Sequence, residues 1–262
     1  MKNSLFNVFH VVFYQPIFNV LILLVAIMPG HDLGLAIIVL TFIVKLVMWP
    51  LTAKALKSQR ALAVLQPRLA ELKLKYKDDK EAFAKETMAL YAKEKVSPAS
   101  SCLLILVQLP VFIALYQALA HGIGGDGLDA LYSFIPNPGE LKPTLLGILD
   151  LAKPSIVLAV AAGAGQFVQG WLTVRQQQPH AHPASNDEET MTMVNKQMMY
   201  MMPILTVVIG WKLPAGLTLY WFVMTVLSVL QQYLIVRPFL GKSGPKATPS
   251  LAGSGGPAEP KA

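Results

Sequence analysis

Charge is what this chain has least of. Of its 262 residues, 14% are charged and 54% hydrophobic, and the mean hydropathy is +0.49; a soluble domain carries about a quarter charged residues. Too few charges remain to coat a globule of this size, which points to lipid as the main solvent. Cysteine occurs once, as Cys102, so an intramolecular disulfide framework and a Cys-based metal site are excluded. There is no P-loop, no HExxH and no plausible Ser/His/Asp arrangement, so neither nucleotide use nor bond-breaking chemistry is expected and the chain does not read as an enzyme. His180 and His182, in a Pro-rich loop, read as solvated residues, and no metal or cofactor is expected. The net charge of +7, from 22 Lys+Arg against 15 Asp+Glu, would suit a nucleic-acid binder, but a basic soluble surface needs no long apolar runs.

Those runs are what the chain has in abundance. A helix crossing about 30 Å of hydrocarbon needs roughly 20 mostly apolar residues. Runs of that kind lie at about 11–28, 33–52, 101–120, 155–174, 197–211 and 213–236. The first holds Pro16 and Asn19 and ends at Pro29-Gly30-His31-Asp32, so it either spans or lies in the interface plane. With only Lys2 before it and no small-residue cleavage site, a removed signal peptide is not expected. The fifth contains Pro203 and joins the sixth through Lys212-Leu213-Pro214-Ala215-Gly216, which predicts a transmembrane hairpin. The Gly/Pro/Ser tail from Gly241 to Ala262 reads as disordered.

Lys and Arg resist translocation and so set the orientation. Block 53–97 holds eleven of them and is therefore cytoplasmic, which puts 121–153 outside and returns 175–196 and the tail to the inside. Within the block, Leu62, Leu65, Leu69 and Leu72 recur at helical spacing, as do Ala84, Met88 and Tyr91 beyond the turn Lys77-Asp78-Asp79. The pattern predicts two amphipathic helices in a hairpin, with Pro67 opening the first at its N1 position.

One cation falls outside this charge pattern. Lys45 lies in the second run, seven residues before Thr52, or about 10 Å from the cytoplasmic end at 1.5 Å per residue. Its own reach of about 6 Å makes snorkelling marginal, and an ionisable residue at that depth needs a wet cavity or a partner. Thr41, Lys45 and Thr52 share one helix face. Similar polar stripes are formed by Gln166, Gln169 and Thr173, by Ser101 and Gln108, and by Thr218, Trp221, Thr225, Ser228 and Gln232. Any one stripe serves interhelical hydrogen bonding. Four stripes and a lysine with no acidic residue in any span leave water and substrate acids as its partners and suggest a polar groove.

Several segments carry a family resemblance. Thr41-Phe42-Ile43-Val44-Lys45, Met48-Trp49-Pro50-Leu51-Thr52, Leu65-Gln66-Pro67, Met88-Ala89-Leu90-Tyr91, Gln108-Leu109-Pro110-Val111-Phe112-Ile113-Ala114-Leu115-Tyr116 and Pro214-Ala215-Gly216-Leu217-Thr218-Leu219-Tyr220-Trp221 resemble the YidC/Oxa/Alb membrane protein insertases, in order over about 12–238. The resemblance implies an all-α polytopic membrane protein of the cell inner membrane. Five core helices would surround a hydrophilic groove open to the cytoplasm and to lipid, with an N-terminal membrane-associated helix over 1–30, an insertase core over 31–238, a cytoplasmic hairpin over 53–97 and a disordered tail over 239–262. It implies a non-enzymatic insertase and chaperone that moves hydrophobic segments of nascent membrane proteins laterally into the bilayer, between the third and fifth core helices. Lys45 corresponds to the groove's basic residue, an arginine in most members, and Gln169, Tyr220 and Trp221 to groove-lining positions; Thr41, Gln108, Thr225 and Ser228 complete the expected site. The large outer domain of some bacterial members is not expected here. The tail's basic residues, Arg237, Lys242, Lys246 and Lys261, are too sparse for a ribosome-docking extension, and the Sec translocon stands as an optional partner. A channel, transporter or lipid scramblase could use the same groove, and an assembly factor could use the stripes for packing alone.

Overall fold

The computed structural model describes residues 7–77, 79–97, 100–122, 130–135, 141–176 and 186–240. The expectations for Asp78, His180, His182 and the tail from Gly241 lie outside them, as do those for the side chains of Ser101 and Cys102. The described chain is all-α apart from one short ladder. A π turn at His10–Tyr14 leads into α1 (Gln15–Ile27), followed by α2 (Leu33–Lys75), α3 (Lys80–Lys93) and α4 (Ser100–Gly122). Then come β1 (Thr144–Leu145), β2 (Leu149–Asp150), α5 (Ile156–Gln176), α6 (Asn186–Gly210) and α7 (Ala215–Leu240). Among the described residues, four stretches are long and apolar enough to cross a membrane, namely Asn7–Ile27, the N-terminal half of α2, Ile156–Arg175 and Ala215–Ile235; Gln108–Ala120 and Met199–Gly210 are shorter apolar stretches.

The helices pack in the order α4, α2, α7, α5, α6, so α7 sits centrally and α4 and α6 are the two edges. The α2 residues Leu33, Ala36, Ile37, Leu40, Thr41, Lys45, Met48, Thr52 and Ala55 form one buried stripe, while Phe42, Leu46 and Val47 face outward. This is the division expected of a helix with protein on one side and lipid on the other.

One end of the bundle is capped by the connection before α5. The Asp32 carboxylate accepts from Leu35 N–H at 2.8 Å and so caps α2, and it also accepts from Leu146 N–H. The first amides of α7 have no partner within their helix; Ala215 N–H donates to Lys153 O at 2.9 Å and Gly216 N–H to Leu151 O at 3.0 Å. Asn19, in the first half of α1, donates to Ala130 O at 2.9 Å and accepts from Tyr132 N–H at 2.7 Å. This part of α1 therefore lies beside the connection that follows α4. Pro16 follows the π turn directly, inside a helix continuous from Asn7 to Ile27; its missing N–H interrupts the regular bond ladder there.

Three details differ from the expectations. Pro67 does not open a new helix: α2 runs without interruption through both Pro50 and Pro67 to Lys75, because the leucine period is continuous across Pro67 and one lost hydrogen bond is cheaper than a second nucleation. The inward face of α3 is Phe83, Thr87, Leu90 and Tyr91, whereas Ala84 and Met88 are exposed. The α2–α3 turn rotates α3 so that Arg68 and Glu94 meet at 2.6 Å, and the stripe read from Ala84 and Met88 faces outward. Finally, the expected tight turn joins α6 and α7, and Thr218 Oγ1 donates to Gly210 O at 3.2 Å beside it, but both helices pack mainly on α5, which the sequence did not indicate.

The last arrangement depends on a close approach. A Cβ on Gly163 of α5 would lie 2.5 Å from Val207 Cγ2 and 3.0 Å from Pro203 O, both on α6. Only glycine lets the two backbones come so near. Gly163→Ala is expected to lower stability by roughly 1–3 kcal/mol, the usual range for overpacking, read as earlier thermal unfolding of the detergent-solubilised protein; unfolding at the wild-type temperature would contradict this seam.

Candidate polar groove along α7

The central helix carries a polar or aromatic partner for each of its neighbours. Near the capped end, Tyr220 is buried and its hydroxyl accepts from Gln108 Nε2 of α4. One residue on, half-buried Trp221 meets Phe112 of α4 edge-on at 5.9 Å between ring centroids, a favoured aromatic geometry. Thr225 is buried; its hydroxyl donates back to Trp221 O at 2.8 Å, and its methyl lies 3.3 Å from where a Cβ on Gly165 of α5 would be.

A turn later the charge appears. Lys45 is only 7% exposed, and its ammonium donates to Ser228 Oγ at 2.8 Å. The Ser228 hydroxyl in turn donates to Met224 O at 2.7 Å, leaving its lone pairs toward the lysine. Among the described residues no carboxylate forms an ion pair with Lys45. The expectation that water and substrate alone would serve it is thus corrected: a neutral hydroxyl on α7 takes one of its three N–H bonds. The other two remain for water or an incoming carboxylate. Thr41 is fully buried and donates to Ile37 O at 2.6 Å, so its hydroxyl satisfies its own helix.

Sequence reasoning missed Gln231. Its amide donates to Thr52 Oγ1 at 2.7 Å, while Thr52 donates to Met48 O at 3.0 Å. This joins α7 to α2 beside Pro50, where the helix lacks an N–H. The neighbouring Gln232 donates to Thr173 Oγ1 of α5 at 3.1 Å. The doublet Gln231-Gln232 thus holds a helix on each side of α7; two adjacent amides in an apolar run were the available signal. Gln169 is half-buried and its backbone carbonyl accepts from Thr173 at 2.9 Å, but among the described residues no hydrogen bond joins its side chain to another helix. Gln166, from the same stripe, accepts from Thr206 of α6 at 2.6 Å.

Thr173–Gln232 and the Gly165–Thr225 approach join α5 to α7, the third and fifth core helices, between which the lateral path was expected. Among the described residues α4 and α6 share no extended seam. Exposed apolar side chains occupy both edges, including Leu109 and Ile113 on α4 and Ile204 and Leu205 on α6.

The family model for the 60Kd inner membrane protein matches residues 24–242, which include every helix of this arrangement except α1 in part. The chain belongs to that family, the YidC/Oxa/Alb proteins. A membrane protein insertase YidC of Fusobacterium nucleatum is 35% identical over 206 residues, covering 79% of this chain and 87% of that protein. The YidC of Syntrophus aciditrophicus is 35% identical over 209 residues, 78% of this chain but 33% of its own length. That of Geobacter sulfurreducens is 36% identical over 208 residues, 78% of this chain and 34% of its own. The chain thus spans about a third of the length of several curated YidC relatives and most of another. Like the family, it is a multi-pass protein of the cell membrane.

The Thr52–Gln231 pair gives a direct test of the α7 contacts. Thr52→Val and Gln231→Leu should each destabilise by about 0.5–1.5 kcal/mol, because each removes one buried hydrogen bond between the helices. The double variant should lose less than their sum. Additive losses in detergent thermal melts would show that the two side chains act separately.

Proposed function

We infer that this chain is a membrane protein insertase: it receives hydrophobic segments of nascent membrane proteins in a groove floored by α7 and releases them sideways into lipid. The observation that supports this most is Lys45, a buried cation in a spanning helix held by a hydroxyl and, among the described residues, by no carboxylate, in a chain of the YidC/Oxa/Alb family.

A polar or acidic flank of an inserting segment loses several kcal/mol per charge when it enters hydrocarbon. A groove that admits water from the hairpin end shortens the dry path. Lys45 offers its two remaining N–H groups to the passing carboxylate while Ser228 fixes its position. The Gln108–Tyr220 and Phe112–Trp221 contacts then cover the half nearer the capped end, where few polar groups remain to stop the flank. The apolar segment leaves between α4 and α6, since the α2–α7 and α5–α7 seams are bonded shut. Its release is driven by burial of apolar surface in lipid. No step forms or breaks a covalent bond. In this reading α1 lies along the interface at the capped end. The groove opens to the cytoplasm, and nascent membrane proteins and the bilayer are the required partners, with the Sec translocon as an optional one.

Reconstitution into liposomes with a short single-span substrate tests this. Purified protein should raise protease-protected insertion above that of empty liposomes; no increase would refute the insertase reading, and ion flux in its place would favour a channel. Lys45→Ala should lower insertion of a substrate with an acidic translocated tail by about fivefold to tenfold, the equivalent of roughly 1–1.4 kcal/mol. A neutral-tailed substrate should be spared. Lys45→Arg should stay within about twofold of wild type, because the charge is kept even though the donor geometry changes.

A further inference from the structure

The connection leading into α5 ends in a feature that transport leaves unused. β1 and β2 pair as Thr144 with Asp150 and Leu145 with Leu149, closed by a turn in which Leu146 and Gly147 both have left-handed backbone angles, φ 53° and 71°. Hairpin turns of this kind favour Asn, Asp or Gly at the first central position. Leucine is strained there and offers no local hydrogen bond in return. Yet Leu146 is exposed, and Ile148 is 89% exposed.

The turn is firmly mounted. Leu146 N–H donates to the buried Asp32 carboxylate, and Leu151 N–H donates to Pro143 O at 2.7 Å. The Leu145 side chain lies so close to Gly34 that a Cβ there would be 2.5 Å from it. Two apolar side chains are therefore held outward on a rigid support.

Their surroundings say what they face. Ile156 and Val157 at the start of α5 and Trp211 between α6 and α7 are exposed at the same end, and the apolar surface continues down α5 and α6 through Val160, Ile204 and Val208. Lys142 stands two residues before β1 and Lys153 three residues after β2. The bond from Ala215 N–H to Lys153 O brings Lys212 to this end as well. All three lysines are exposed. Lys153 meets Asp150 at 2.9 Å, an exposed pairing that constrains it little; among the described residues no ion pair involves Lys142 or Lys212. Apolar side chains and tryptophan flanked by lysines match the boundary between acyl chains and phosphates.

We propose that the β1–β2 turn is an interfacial anchor: Leu146 and Ile148 insert into the leaflet at the capped end of the bundle, and Lys142, Lys153 and Lys212 hold anionic phospholipid headgroups. The anchor fixes the depth of the helix caps in the bilayer and operates whether or not a substrate is present.

The test uses the full chain carrying Cys102→Ala and Ile148→Cys, labelled with a polarity-sensitive fluorophore, in nanodiscs of phosphatidylcholine and phosphatidylglycerol. The label should be quenched by a nitroxide on the upper acyl chain and shielded from aqueous iodide; quenching by iodide alone would overturn the proposal. Leu146→Asn suits the turn, so detergent stability should hold or rise while the label shifts toward water. A loss of detergent stability would mean that Leu146 packs on protein and would overturn its role. Replacing the three lysines with Gln should reduce phosphatidylglycerol enrichment around the protein by about tenfold or more, given that each lysine near a charged leaflet contributes about fivefold; unchanged enrichment would overturn the headgroup role.

Discussion

Hydrocarbon offers no hydrogen bonds, so a hydroxyl, amide or ammonium buried in a spanning helix needs a partner in the protein or in water that enters it. The central helix α7 is where those partners gather. Tyr220 serves α4, Ser228 and Gln231 serve α2, and Gln232 serves α5. The same helix also reaches α6, where Thr218 Oγ1 donates to Gly210 O at 3.2 Å, so it ties the bundle together; among the described residues α4 and α6 share no such seam.

The same constraint explains how a lysine can sit in a spanning helix at all. Bonding Lys45 to a carboxylate would neutralise it and remove its attraction for another acid. Bonding it to Ser228, whose own proton is committed to Met224 O, keeps the charge intact and the ammonium oriented. A guanidinium would spread its donors in a planar fork. With lysine the site keeps a compact charge whose position depends on one hydroxyl.

Much of this was legible in the residues. The apolar runs and the polar stripes show through periodicity alone, since helical spacing places Thr41, Lys45 and Thr52 on one face and Trp221, Thr225 and Ser228 on another. Pairing between helices was not legible: nothing in the order of residues states that Ser228 meets Lys45 or that Gln166 meets Thr206, because such contacts depend on three-dimensional packing. The turn between α6 and α7 was legible from Pro214 and Gly216, but the neighbour of each leg was not: Gly163 lets α6 come close to α5. Pro67 misled for a related reason, as a proline reads as a boundary locally whereas the leucine period runs on across it.

Site-specific photocrosslinking to a stalled nascent chain bearing one hydrophobic segment addresses the groove most directly. A photoreactive residue at Ile113 on α4, Trp221 on α7 or Leu205 on α6 should capture the segment, while one at Leu46 or Val47, on the outward face of α2, should capture lipid alone. Capture confined to the α2 positions, with none from α4, α6 or α7, would contradict a groove floored by α7 and open between α4 and α6.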